Sequence, residues 1–196
     1  MCPAFVQGPL AAFQAKVMNA IRAVDGSRLL FLRARAHGAG RRHRLRAEPH
    51  GHPRAGMSFH DYCALSVLVA GLSCDQGEEL ILTKGLDHAN ANGGPGLVTE
   101  FGGTNDPLVL NRMTDRLDRH MTSWQFWVYN EQLVPDTHLA PGGTNVVADR
   151  LARVVRPYPQ VVTRTPQEYP STATRTRSRC GTRRNVPPEA RSPPGR

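Results

Sequence analysis

Cysteine, aromatic residues and long apolar runs are all scarce in this chain. Its 196 residues include four cysteines (Cys2, Cys63, Cys74, Cys180), too few and too scattered for a disulfide scaffold or a zinc motif. Free, partly buried thiols are expected, although Cys63 and Cys74 would pair in an oxidising compartment. No stretch approaches the roughly 18 consecutive apolar residues that span a bilayer. No basic segment followed by an apolar one opens the chain, so no signal peptide is visible and the compartment stays open. No repeat recurs at a solenoid or propeller period. The Gly93-Gly94-Pro95-Gly96 run precedes a strand instead of joining strand to helix, which is the wrong place for a phosphate-binding loop. A hydrophobic fraction of 39% with mean hydropathy −0.43 fits one soluble domain with tails.

Acidic residues are also in deficit, with 16 against 25 basic ones and a net charge of +9. That excess invites a nucleic-acid reading, but it is unevenly spread. Residues 33–54 carry seven arginines and one acid, and residues 150–196 carry eleven arginines and two acids. Together these segments hold +15, so the remainder is acidic at −6. Sequence-tolerant single-strand binding interleaves aromatics for base stacking, and residues 33–54 contain none. No specific nucleic-acid partner is expected, although phosphate contacts through the arginines alone stay open as the alternative.

The pattern predicts a helix over 9–24, with Leu10, Phe13, Val17, Ala20, Ile21 and Val24 at three- and four-residue steps and Pro9 suited to the first turn. Residues 28–32 read as a short buried strand. Residues 33–54 lack the apolar surface to offset ordering and read as disordered. Structure resumes with a strand from Met57, a helix over 76–91, a strand over 97–101 and a helix over 107–122 striped by Val109, Met113, Leu117 and Met121. A strand over 124–129 and a helix over 146–155 follow. Strands alternating with helices imply βαβ units and a parallel sheet. From Arg156 onward the Pro, Thr, Ser and Arg composition reads as an unfolded tail.

Parallel α/β proteins place function at the carboxyl ends of their strands. Glu100 stands at one such end; strict alternation puts it on the face of Val98, opposite Leu97, Thr99 and Phe101. A buried carboxylate there is costly unless it faces a polar cleft; a solvated strand tip is the plainer alternative. His60 and Tyr62 share a face at the end of the preceding strand, as a structural pair or as cleft groups. Trp127 shares a face with Gln125 and Tyr129, while Trp124, Phe126 and Val128 face the other way. One tryptophan would pack under a helix and the other would reach the strand mouth.

Read in order, SFHDYC, LVTEFGGTNDP and SWQFWVY resemble the second half of a glycoside hydrolase family 5 barrel, nearest to the endoglycoceramidases and their glucosylceramidase-like relatives. FQAKVMNAIRAVDGSRLLFL resembles the helix and fifth strand of that barrel, and RVVRPYPQVVTRTPQEY the passage leading out of it. The likeness covers about residues 9–32 and 56–169. It implies an α/β fold comprising about strands 5–8 of a (β/α)8 TIM barrel with basic disordered segments. The implied divisions are a helix and strand over 1–32, an Arg-rich insert over 33–55, the half-barrel over 56–156 and a tail over 157–196. The implied activity is retaining hydrolysis of a β-glycosidic bond, with Glu100 as nucleophile, His60 and Tyr62 orienting it and the substrate, and Trp127 as the platform under the sugar. The substrate class is a carbohydrate or glycolipid; no cofactor or metal is implied.

The departures carry equal weight. The family's acid/base glutamate follows an asparagine at the end of the fourth strand, and no such pair precedes a helix here; Asn130-Glu131 lies after the last strand. The Arg-rich stretches have the composition of a GC-rich gene read in another frame. A truncated, inactive fragment with unpaired sheet edges open to association is the expectation.

Overall fold

The computed structural model describes residues 3–33, 54–62, 74–104, 106–159, 165–168 and 181–183. A short helix α1 (Pro3–Phe5) runs through a π-helical turn (Val6–Leu10) into α2 (Ala11–Val24). There follow β1 (Leu30–Arg33), β2 (Ala55–His60), α3 (Asp75–Ala91), β3 (Gly96–Glu100), α4 (Pro107–Arg119), β4 (Ser123–Trp124) and α5 (Ala148–Val154). The four strands form one sheet in the order β1-β2-β3-β4, and every pairing is parallel. Helices connect the later strands, so this is the α/β architecture of a partial (β/α)8 barrel.

The core lies between the sheet and helices α3 and α4. Phe59, Leu82, Val98, Phe101, Met113 and Leu117 make one buried cluster, joined at its margin by Ile81, Leu86, Trp124 and Phe126. Phe101 meets the rings of Trp124 and Phe126 edge-on, at 5.1 and 5.6 Å. Helix α4 starts cleanly because Asp106 caps it, accepting from the Leu108 amide at 2.9 Å, with Pro107 in the first turn. It stops at Arg119, short of the 122 predicted, because Met121 adopts a left-handed φ of 50°. Val109, Met113 and Leu117 are buried as the stripe requires, whereas Met121 is exposed beyond the helix end.

Several expectations are corrected. The apolar stripe of α2 is not covered: Phe13 is 63% and Val24 90% exposed, and Met18 is the helix's one buried residue. β1 is an edge of the described sheet, so α2 has no strand beyond it to pack against. β4 spans two residues, not six; the predicted strand continues only as an isolated bridge between Gly102 and Trp127. Cys74 is disulfide-bonded, not a free thiol, and its partner lies outside the described residues, as do the other three cysteines. The Arg-rich insert lies outside them too except at its ends, where Arg33 closes β1 and Arg54 precedes β2.

The tail is not uniformly structureless. Thr165–Glu168 (β5) and Gly181–Arg183 (β6) pair antiparallel; ladder hydrogen bonds need no apolar side chains, so a composition argument misses them. Arg156 is no tail residue. Its buried guanidinium bonds Asp118 at 2.9 Å, Thr114 at 2.9 Å and Asp115 at 2.6 Å, fixing the chain after α5 to α4. The remainder of 157–196 beyond these strands and residue 159 lies outside the described residues.

A Cβ added at Gly85 of α3 would sit 2.5 Å from two carbons of the Phe59 ring, and that ring has no exposed side to retreat toward. Gly85→Ala is expected to destabilise the chain by about 1–3 kcal/mol from overpacking, although alanine adds roughly 1 kcal/mol of helix propensity. Denaturant titration checks this, and a gain in stability would refute the packing account.

Candidate active site

The parallel ladder between β2 and β3 contains one irregularity, and it sits at the strand ends. Phe59 pairs with Val98, but His60 pairs with Glu100, leaving Thr99 as the extra residue of a bulge. The Thr99 hydroxyl donates to the Phe59 carbonyl at 3.2 Å, and the ladder resumes where the Asp61 amide donates to the Glu100 carbonyl at 2.9 Å. A bulge reverses the alternation locally. Val98 and Phe101 therefore both reach the helix-facing core, and Glu100 turns to the opposite side. The expectation that Glu100 shares a face with Val98 is thus corrected.

On that side Glu100 meets the two residues at the end of the neighbouring strand. Tyr62 donates its hydroxyl to Glu100 Oε2 at 3.1 Å, and His60 Nδ1 stands 2.8 Å from the same oxygen. The His60 and Tyr62 rings meet edge-on, 6.2 Å apart. The site is partly open, with side-chain exposures of 18% for His60 and 27% for Glu100. Burial and the carboxylate acceptor both push the Tyr62 phenol up, so it remains a donor. Burial first, and then the nearby Arg33 guanidinium, hold the His60 imidazole below its ordinary value despite the Glu100 carboxylate.

Trp127 reaches the same end of the sheet through its backbone: its amide donates to the Phe101 carbonyl at 2.9 Å and its carbonyl accepts from the Gly103 amide at 3.0 Å. The Trp127–Val128 peptide is cis. Its side chain is 49% exposed, whereas Trp124 and Phe126 pack on the core. The structure brings His60, Tyr62 and Glu100 into direct contact and puts Trp127 at the same strand ends.

Three features escaped the sequence reading. Arg33, assigned to the disordered insert, closes β1 and places a guanidinium nitrogen 3.0 Å from His60 Nδ1. Arg116 of α4 is buried and joins α3 through Glu78 at 2.7 Å, Glu79 at 3.1 Å and Asp75 at 3.2 Å. Asp61 lies between His60 and Tyr62 but faces the helices, 2% exposed, with neither carboxyl oxygen hydrogen-bonded. It borders a cavity of about 10 Å³ shared with Glu78, Phe101, Gly102, Val109, Leu110 and Met113, room for one water. Strand alternation was the available signal for Asp61, since an acid between two cleft-facing residues must face the core.

A carboxylate held by a phenol and an imidazole thus lies at the carboxyl ends of the parallel strands, where α/β barrels place their active sites. The family model for cellulase, glycosyl hydrolase family 5, matches residues 6–132, and the chain belongs to that family, whose members act on carbohydrates. No curated protein matches the chain.

Burial first, then the Glu78 carboxylate, raises Asp61 from its ordinary 3.8 to about 8. The folded state thus holds this proton more tightly than the unfolded chain does. Its stabilising contribution is complete below pH 3.8 and is lost as pH rises through about 8, at up to roughly 1.4 kcal/mol per pH unit. Asp61→Asn, which keeps a neutral side chain, should flatten that decline and exceed the wild type in stability at pH 8. Paired denaturant titrations at pH 5 and pH 8 check this; parallel declines in both proteins would count against it.

Proposed function

We propose that this chain carries the nucleophile side of a retaining β-glycosidase site. Glu100 attacks the anomeric carbon, Tyr62 orients it, His60 lies against the same carboxylate, and Trp127 offers an aromatic face to the sugar. The observation that carries the reading is the convergence of Tyr62 and His60 on Glu100 Oε2. The finer substrate reading is a β-linked sugar on ceramide, and it rests on the motif resemblance alone.

Retaining hydrolysis uses two carboxyl groups roughly 5 Å apart, one attacking and one protonating the departing oxygen. In the family that acid follows an asparagine at the end of the fourth strand, and the Asn-Glu pair of this sequence, Asn130-Glu131, lies after the last strand of the sheet instead. General acid catalysis contributes on the order of 10²–10⁴ in rate. The edges of the described sheet at β1 and β4 and the exposed stripe of α2 would further favour association. The 196-residue chain alone is therefore inactive on ordinary glycosides under this reading.

An activated substrate separates the two halves of the proposal. A 2-deoxy-2-fluoro β-glucoside with a dinitrophenolate leaving group needs no acid. A Glu100 carboxylate oxygen bonds to the anomeric carbon, the bond to the aryl oxygen breaks, and dinitrophenolate leaves with the electron pair. Mass spectrometry is expected to find the glycosyl adduct on Glu100 in the wild type and none in Glu100→Gln, whereas an unactivated β-glucoside or glucosylceramide is not turned over by either. Absence of the adduct from the folded wild type would remove Glu100 from the nucleophile role. Turnover of unactivated substrate that Glu100→Gln abolishes would show the chain to be a complete enzyme.

A further inference from the structure

The His60 ring nitrogen that faces Glu100 has two neighbours and one bonding site. Arg33 approaches His60 Nδ1 at 3.0 Å from the end of β1, and Glu100 Oε2 approaches the same atom at 2.8 Å from the end of β3. An imidazole nitrogen either accepts through its lone pair or donates through its hydrogen. Arg33, a permanent donor, can use only the unprotonated nitrogen; the Glu100 carboxylate can use only the protonated one. The two contacts compete for one proton position.

We propose that Arg33 is a positioning residue for the candidate nucleophile, its guanidinium occupying His60 Nδ1 and holding the ring uncharged beside the Glu100 carboxylate. Left alone with a carboxylate at 2.8 Å, an imidazole gains a proton and forms an ion pair. That pair would set a full positive charge against Glu100 Oε2 and weaken the carboxylate as a nucleophile. With Arg33 on Nδ1, the phenol of Tyr62 at 3.1 Å is the donor that holds Glu100. The ring proton then sits on Nε2, free to donate to another acceptor.

The groups facing His60 among the described residues come from three elements: Arg33 on β1, Glu100 on β3, and Tyr62, two residues along its own segment. Asp61 is excluded from this set, because its carboxyl lies in the cavity on the helix side. The lowered position of His60, with Arg33 second to burial among its causes, agrees with the geometry. Sequence gave no warning of this role, since Arg33 opens the arginine-rich stretch and looks like one of seven.

The role rests on the reading of Glu100 as nucleophile, but its test does not require activity. Nitrogen-15 NMR of the imidazole in the full 196-residue chain reads both the proton position and the titration midpoint of His60. In the wild type Nδ1 should read as unprotonated at pH 7. In Arg33→Ala the midpoint should rise by about one pH unit, as expected on removing one nearby like charge, and Nδ1 should gain a proton. Arg33→Lys, which keeps the charge, should hold the midpoint near the wild-type value. Arg33 is exposed at a strand end, and circular dichroism of each variant checks that the fold is retained. An unchanged or lowered midpoint in folded Arg33→Ala, or a protonated Nδ1 in the wild type at pH 7, overturns the proposal. Failure of Glu100 to take the fluoroglycoside label while the His60 shift is observed would instead overturn the nucleophile reading and leave the Arg33–His60 coupling standing.

Discussion

The ring of Phe59 is the constraint on which the rest depends. It is fully buried beneath the sheet, pressed against the backbone of α3 at Gly85, and paired across the ladder with Val98. Because the ring cannot move, the register of β2 on β3 is held up to that pair. The extra residue, Thr99, then falls directly after it. One residue of mismatch turns Glu100 away from the core and toward His60, so a packing contact on the helix side decides what meets at the strand ends.

Charge is the second organising element, and it explains the uneven distribution along the chain. With Arg33, Arg54, Arg150, Arg153 and Arg156 inside it, the folded part is close to neutral, and two of its arginines are buried. Arg116 clamps α3 to α4 through three carboxylates, and Arg156 fixes the segment after α5 to Asp115 and Asp118. Each buried arginine faces more than one carboxylate, which offsets the cost of taking its charge out of water. Asp61 is the exception: no cation bonds to it, so it stays protonated in the ordinary pH range. At the strand mouth a cation and an anion meet at one atom, with Arg33 and Glu100 both within 3.0 Å of His60 Nδ1.

Much of the element order was legible because hydrophobic period is a local property. The helices over 76–91 and 107–122 and the strands near 57 and 97 each appear within a few residues of their expected places. His60, Tyr62 and Glu100 were legible as candidates because strand ends are where parallel sheets collect polar groups. The face of Glu100 was not, since a bulge is a relation between two strands and leaves no mark in either alone. The exposure of Phe13, Val17, Ile21 and Val24 was equally hidden; a stripe shows that a helix seeks a partner, not that one is present.

By itself the sequence determined the α/β alternation and the residue types available at the strand ends. These follow from spacing and composition along one dimension. Only the tertiary structure decided that Tyr62 and His60 reach the same oxygen of Glu100, that Asp61 turns inward without a partner, and that Arg33 and Arg156 belong to the folded body. Each of those facts joins residues 27 to 42 positions apart, or turns on which side of a sheet a side chain leaves. Such relations arise when packing closes the chain on itself, because burial and hydrogen bonding are then settled among distant neighbours at once.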